Sequence, residues 1–203
     1  GPWRSVGHSQ NAFITESFID ELANLAEQDP YQYRRSLLRG HQDYLTVLDL
    51  VAEKSHWGNA GPGVYQGIAI HKSFGTIVSQ VVDLELVNDI PKLKRVTCAV
   101  DCGTAVNPDQ VAAQIESSVV FGLTAALKGE INIEGGAVKE SNFHDYQMLR
   151  MDETPPIDVH IVDSNLPPTG VGEPGTPPIA PALGNALFAA TGKRQRSLPY
   201  KIA

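Results

Sequence analysis

One carboxylate in the last fifth of the chain has surroundings that suit acid–base chemistry. Glu173 lies between Gly172 and Pro174, inside a segment of glycines and prolines that runs from 170 to 181. Glycines allow close backbone approach, and prolines fix φ and remove amide donors, so this composition predicts a rigid, narrow loop. A carboxylate that such a loop holds against a ligand can act as a general base. The alternative interpretation is that Glu173 caps a helix or forms a salt bridge in an ordinary loop.

The residues after this loop predict a helix that is buried. Pro181 suits the first turn of a helix and Gly192 suits its C-terminal end, and the residues between them are apolar and rich in alanine. These signals predict a helix from about 180 to 191. A helix that is apolar on all sides is expected to lie in the core. The Glu173 loop should therefore enter the core at its C-terminal end.

A polar loop at the start of the chain is the second candidate for ligand binding. It covers residues 1–11 and contains Arg4, Ser5 and Val6, and apolar residues recur at helical spacing after it. We expect the helix to be capped within residues 9–11. Backbone amides at the entry to a helix can bind an anion, but the local features by themselves favour a plain helix start.

A third candidate is Gln114, which lies within a predicted helix. Asn107 is suited to cap that helix and Pro108 to occupy its first position. A buried amide must find hydrogen-bond partners, so Gln114 could bind a ligand. The local interpretation, an amide that faces solvent or bonds within the helix, stays open.

Taken together, these segments resemble the signatures of the xanthine oxidase family of molybdenum hydroxylases. Gly-Val-Gly-Glu-Pro at 170–174 resembles the C-terminal active-site signature, and residues 100–116 resemble a second signature with Gln114 at the pterin-binding position. Residues 3–7 resemble a loop that lies beside the molybdenum. The string from 175 to 192 resembles most the branch of isoquinoline 1-oxidoreductases and bacterial aldehyde dehydrogenases.

The resemblance implies a role for each matching residue. Glu173 corresponds to the active-site base, and no residue of the chain is expected to ligate the metal. The expected contacts to the cofactor, molybdopterin in its cytosine dinucleotide form with molybdenum, are Arg4, Ser5, Val6, Gln114, Val171 and Gly172. Ser5 and Val6 replace the Gly and Phe of purine hydroxylases, which argues against a flat purine as substrate. The implied substrate is an aldehyde or an N-heteroaromatic compound, hydroxylated with oxygen from water.

The resemblance also implies partners. A further Gly-rich block of the family would lie upstream of Gly1, so we expect residues 1–203 to be the C-terminal portion of a molybdopterin-binding domain in a larger subunit. Cys98 and Cys102 are only two thiols, so the iron–sulfur clusters are expected on a partner subunit. The isolated portion is expected to be inactive. The competing hypothesis is a non-catalytic packing fragment that binds no cofactor without a companion chain.

Composition and hydrophobic pattern predict an α+β fold, with helices packed on a largely antiparallel sheet. Residues 1–57 read as mainly helical, and residues 64–203 as mixed strand and helix, with a glycine-rich break between them. Strands are expected at 64–71, 75–87 and 93–101, as an antiparallel meander.

The net charge of −7 argues against nucleic acid as a partner, because binding to phosphates needs a positive field. No tract is long enough to cross a membrane, and no targeting segment is visible.

Overall fold

A computed structural model of the protein describes residues 3–201, which leaves Gly1 and Pro2 of the predicted first loop, and Ile202 and Ala203, outside the described residues. Over that range the chain forms five α-helices and six β-strands. The helices are α1 (Gly7–Leu25), α2 (Pro30–Leu37), α3 (Gln42–Lys54), α4 (Pro108–Leu127) and α5 (Ile179–Thr191). The strands are β1 (Val64–Ser73), β2 (Thr76–Val87), β3 (Ile90–Asp101), β4 (Ile133–Glu134), β5 (Ala137–Val138) and β6 (Ile157–Ile161).

The main sheet is mixed but mostly antiparallel. Its strand order is β1-β2-β3-β6, and the first three strands form the predicted meander. β6 joins the edge beside β3 and runs parallel to it, with Cys98 opposite Val159. The α+β prediction is confirmed. The connection between β2 and β3 is shorter than predicted, because Asn88 and Asp89 both have positive φ and form a tight two-residue turn.

Helices cover both faces of this sheet, so the fold has three layers. On one face α3 packs through Val47, Leu48 and Val51, and on the other α4 and α5 form the larger part of the core. β2 is buried over most of its length without the alternation of a half-exposed strand, because its side chains meet helices on either side. At Gly67 the backbone of α5 approaches so closely that a Cβ would overlap Ala186.

Local capping signals set three of the helix ends. Asp29 accepts a hydrogen bond from the amide of Gln32 at the start of α2, and Asn107 accepts one from Gln110 at the start of α4. Gly192 ends α5 in the left-handed region with φ of 69°. The caps at Asn107 and Gly192 agree with the sequence analysis. The start of α1 does not, because that helix begins at Gly7, ahead of the predicted cap.

The orientation of α1 follows from charge pairing. Its buried face carries Ala12, Glu16, Asp20 and Ala23, whereas three of its large apolar side chains, Ile14, Phe18 and Leu25, are exposed. Arg34 of α2, 1% exposed, pairs with Glu16 at 2.8 Å, and the Glu16 carboxylate also accepts the amide of Ile70. Buried carboxylates need such partners, since an unpaired charge in the core is costly.

Neither cysteine forms a disulfide, as expected. Cys98 and Cys102 are both buried, and burial raises the pKa of each thiol above its usual value.

Between residues 3 and 201 no helix is long and apolar enough to cross a membrane.

Candidate active site

Glu173 lies in the loop between β6 and α5, and hydrogen bonds to the carbonyl groups of this loop hold it in place. Thr76 at the start of β2 donates its hydroxyl to Gly170 O at 2.7 Å, and Gln80 on the same strand donates to Gly175 O at 2.8 Å. Within the loop, the amide of Thr176 donates to Glu173 O at 3.0 Å. The loop is therefore fixed on both sides of the carboxylate.

The glycines of this loop serve close packing rather than unusual backbone angles. A Cβ on Gly175 would lie 2.8 Å from the Ser118 side chain of α4, so only glycine lets the loop rest on that helix. Gly170 and Gly172 have no close neighbours of this kind, and none of the three has positive φ. The close backbone approach predicted from the composition is therefore found at Gly175. Pro174 and Pro177 are buried.

The turn that precedes α1 holds two residues in unusual backbone conformations. The amide of Val6 donates to Trp3 O at 2.8 Å, and Ser5 and Val6 have φ of 70° and 43°. Residues other than glycine rarely adopt these φ angles, and a β-branched valine does so least of all. Such strain persists only where surrounding contacts enforce it, and it is frequent at functional sites.

Those contacts come from the Glu173 loop. The amide of Ser5 donates to Glu173 Oε1 at 3.0 Å, and the Ser5 hydroxyl donates to Glu173 O at 2.7 Å. Arg4 Nε donates to Gly172 O at 2.9 Å, and its Nη2 donates to the same oxygen. Two segments that are 168 residues apart therefore form one unit around the carboxylate.

Arg4 also connects this unit to α4. Its Nη1 donates to Ser117 Oγ at 3.2 Å, and its guanidinium carbon lies 5.6 Å from the centre of the Phe121 ring. Burial lowers the pKa of Arg4 below its usual value, and the nearby Glu173 carboxylate offsets part of that decrease. An arginine stays protonated under either influence, so a positive charge lies beside Glu173 at physiological pH.

The other predicted residues lie beside the same unit. Gln114 is exposed on α4, and its amide oxygen lies 4.0 Å from where a Cβ on Gly172 would be. Val6 is 43% exposed, and Gly172 is exposed as well. Val171, in contrast, is half-buried and packs its side chain against the core, so its main chain is the part that could meet a ligand. The structure thus groups all seven predicted residues.

Sequence reasoning missed four residues that build this site. Ser117 and Phe121 lie on the same side of α4 as Gln114, and their spacing of three and seven residues could have revealed them. Thr76 and Gln80 anchor the loop from β2, and the sequence gives no local signal for that.

Among residues 3–201 no group of three or more His, Cys, Asp or Glu side chains could hold a metal ion.

Comparison with known proteins places the chain in a family. Residues 15–155 match the model of the molybdopterin cofactor-binding domain. The chain is 36% identical to the beta subunit of isoquinoline 1-oxidoreductase from Brevundimonas diminuta over 98% of its length, which is 26% of that subunit. The chain belongs to the xanthine oxidase family of molybdenum-binding subunits.

Two other relatives match almost the whole chain. One is the membrane-bound aldehyde dehydrogenase [pyrroloquinoline-quinone] of Gluconacetobacter polyoxogenes, 30% identical over 98% of this chain and 29% of that protein. The other is a subunit of the nicotinate dehydrogenase of Pseudomonas putida, 32% identical over 97% of this chain and 18% of that protein. The chain therefore spans less than a third of each of these relatives.

The fold has counterparts among solved structures. The aldehyde oxidoreductase of Desulfovibrio desulfuricans superimposes with a TM-score of 0.70 at 13% identity, over 98% of this chain and 40% of that one. The aldehyde oxidoreductase of Desulfovibrio gigas gives 0.68 at 12% identity, over 97% and 40%. At this level of identity the likeness establishes the fold.

Proposed function

We propose that the chain is the C-terminal portion of the molybdopterin-binding domain of a larger subunit, which hydroxylates an aldehyde or an N-heteroaromatic carbon with oxygen from water. The observation that carries the proposal is the unit formed by the turn before α1 and the Glu173 loop, next to Gln114. Segments that are far apart in sequence meet there around one carboxylate. The relatives include an aldehyde dehydrogenase and proteins named for isoquinoline and nicotinate, which supports these two substrate classes.

The residues around Glu173 are suited to hold a molybdopterin. Gln114 presents an exposed amide. Gly172 beside it is also exposed and has no side chain of its own, although Arg4 occupies its carbonyl oxygen. Amide and main-chain groups can both donate to and accept from a pterin or a phosphate. The residues that would line the cofactor are Arg4, Val6, Gln114, Val171 and Gly172. Ser5, the sixth expected contact, is fully buried and bonds to Glu173 instead, so it would not touch the cofactor. No protein ligand to molybdenum is proposed.

In this proposal Glu173 is the general base. When bound, the cofactor supplies the two-electron oxidation of the substrate and the transfer of a water-derived oxygen. The chain supplies a carboxylate of which Oε1 is held by the Ser5 amide, while Oε2 accepts no hydrogen bond from residues 3–201. Oε2 is thus the oxygen available to take a proton. The buried Pro174 and Pro177 keep water away from the inner side of the loop.

The remaining parts of the enzyme would come from elsewhere. We propose that the upstream part of the large subunit completes the cofactor site, that the cofactor is the cytosine dinucleotide form, and that iron–sulfur clusters on a partner subunit remove the electrons. The two buried thiols of this chain are too few for a cluster of their own. The competing hypothesis, a non-catalytic packing fragment that binds no cofactor without a companion chain, predicts that changes at Gln114 leave cofactor content unchanged.

Glu173→Gln tests the role of the base. The amide keeps the size of the side chain but cannot accept the proton, so the complete enzyme should keep its molybdenum and lose at least about 10²-fold in kcat. The measurement is turnover with an artificial electron acceptor, together with molybdenum content. Glu134→Gln is the matched control, because this carboxylate lies in the exposed β4–β5 hairpin and should not affect turnover.

Two outcomes would contradict the proposal. If Glu173→Gln retains molybdenum and turns over at close to the wild-type rate, Glu173 is a structural loop residue. If the complete enzyme, wild type included, contains no molybdenum, the packing hypothesis replaces the catalytic one.

A further inference from the structure

We infer that Ser5 is a positioning residue for Glu173, which fixes the carboxylate through Oε1 and leaves Oε2 as the oxygen that takes the proton. The inference rests on the proposed role of Glu173 as base. Ser5 is fully buried, and it touches both the main chain and the side chain of Glu173. Its effect on the reaction would be exerted through the glutamate.

Every polar group of Ser5 is engaged within the chain. Its amide donates to Glu173 Oε1 at 3.0 Å and its hydroxyl to Glu173 O at 2.7 Å, while its carbonyl accepts the amide of His8 at 3.0 Å. The two bonds to Glu173 hold the residue at both ends, which restricts the rotation of its side chain. A carboxylate held in this way presents the same oxygen in each turnover.

The hydroxyl bond is not needed to satisfy the Glu173 carbonyl. That oxygen already accepts the Thr176 amide at 3.0 Å, which closes the loop by itself. The Ser5 hydroxyl adds a second bond, which comes from the other end of the chain. The second bond fixes the position of the loop relative to the turn that carries the Ser5 amide.

The backbone of Ser5 supports the same conclusion. Its φ of 70° is a conformation that glycine adopts at no steric cost and that a serine adopts only under strain. A glycine would keep the amide bond to Oε1 and relieve the strain, but it would lose the hydroxyl bond. The side chain is thus the one feature of Ser5 that the turn itself does not require.

The test compares Ser5→Gly and Ser5→Thr in the complete enzyme. Ser5→Gly removes the hydroxyl and the strain, so it should unfold at the same or a higher urea concentration while kcat falls about tenfold. Ser5→Thr keeps the hydroxyl and adds a β-branched side chain at positive φ, so it should be less stable yet keep kcat within about twofold. KM should be unchanged in both, because Ser5 has no polar group free to bind substrate.

This opposite order of stability and kcat separates positioning from a purely structural role. A structural role would make kcat follow stability, and that result would overturn the inference. Equal kcat values for Ser5→Gly and wild type would overturn it as well. Molybdenum content, measured on each variant, should equal that of the wild type, and a loss confined to Ser5→Gly would show that Ser5 holds the cofactor instead.

The double variant with Glu173→Gln distinguishes this inference from the proposed function. If Glu173 is the base and Ser5 acts through it, adding Ser5→Gly to Glu173→Gln should change kcat by less than about twofold. If Glu173→Gln is fully active, the proposed function fails. If Glu173→Gln is inactive and Ser5→Gly is fully active, only the inference about Ser5 fails.

Discussion

His71 illustrates how position changes the chemistry of a single side chain. Its Nε2 lies 3.0 Å from His8 Nδ1, in a hydrogen bond that connects β1 to the first turn of α1, just after Ser5. The Phe74 ring lies edge-on to His8, with centroids 5.2 Å apart. Burial lowers the pKa of His71 to about 4, and the neighbouring His8 contributes to the decrease. His71 is therefore neutral at physiological pH.

This pKa predicts how stability depends on pH. A histidine in an unfolded chain binds a proton near pH 6.5, and His71 in the folded protein binds one only near pH 4. Between these values the unfolded state holds the extra proton, so the free energy of unfolding decreases as pH falls from about 6.5 to about 4. His71→Gln cannot bind that proton, and its stability should fall less over the same range.

Urea unfolding at several pH values provides the measurement. Carboxylates also titrate near the acid end, so the relevant quantity is the difference between the wild type and His71→Gln. Above about pH 8 His71 is neutral in both states, and the two proteins should show the same slope there. Parallel stability curves from pH 4 to 8 would contradict the assignment.

At the scale of elements, buried charges determine how α1 sits on the fold. Arg34 donates to the carboxylate of Glu16 and also to its carbonyl, at 2.9 Å, and lies 3.6 Å from Asp20. Asp20 pairs in turn with Arg194, whose guanidinium carbon lies 3.6 Å above the ring of Phe188 in α5. The network joins α1, α2, α5 and the segment after α5. Because α1 carries the Ser5 turn at its start, this network also sets the position of that turn.

Arg34→Met should destabilise the protein strongly. The substitution leaves the Glu16 and Asp20 carboxylates buried with fewer partners, and breaking a buried pair of this kind costs about 3–5 kcal/mol. The measurement is the free energy of unfolding in urea. Arg35→Met is the matched control: Arg35 bonds Asp49 at 2.7 Å on the surface, where water can replace the lost partner, so its effect should be much smaller. Equal losses of unfolding free energy in the two variants would show that the buried network contributes no more to stability than the surface pair.

At the scale of the whole molecule, the outward side of α1 lacks a covering layer among the described residues. Ile14, Phe18 and Leu25 are 65%, 56% and 80% exposed, and their spacing places them along one side of the helix. The chain also spans only 26% of the isoquinoline 1-oxidoreductase relative. Both observations fit the proposal that more of the large subunit packs here.

We therefore expect the 203-residue chain by itself to be inactive and to self-associate. Size-exclusion chromatography with light scattering should detect the association, and Phe18→Ser should reduce it because the substitution removes apolar surface. Co-expression with the rest of the large subunit and its electron-transfer partner should yield soluble protein with molybdenum and turnover. A monodisperse isolated monomer that turns over substrate would refute this expectation.

Much of the fold could be predicted because its signals are local. The cap at Asn107, the proline that follows it and the left-handed Gly192 each act within one or two turns of helix. The meander followed from alternation and from short connections. The parallel pairing of β6 with β3 could not be predicted, because Val96 and Ile157 are far apart in the chain and either edge of the sheet could accept a strand.

The buried face of α1 could not be predicted either, for a related reason. Periodicity correctly indicated a helix, but the side that is buried carries Glu16 and Asp20. A buried acidic face is stable only because Arg34 and Arg194 come from other elements to meet it. No pattern within the helix encodes those partners, so hydrophobicity alone does not indicate this face.

The sequence by itself indicated the residues of the candidate site, since Arg4, Gln114 and Glu173 each lie in a segment that resembles a signature of the family. Only the tertiary structure decided how they act on one another. The Ser5 amide meets Glu173 Oε1 because the sheet, α4 and α5 bring two loops together across 168 residues, and the strain at φ of 70° is maintained by those contacts. Local propensities act over a few residues, whereas the choice of which carboxylate oxygen stays free depends on packing between elements that are distant in the chain.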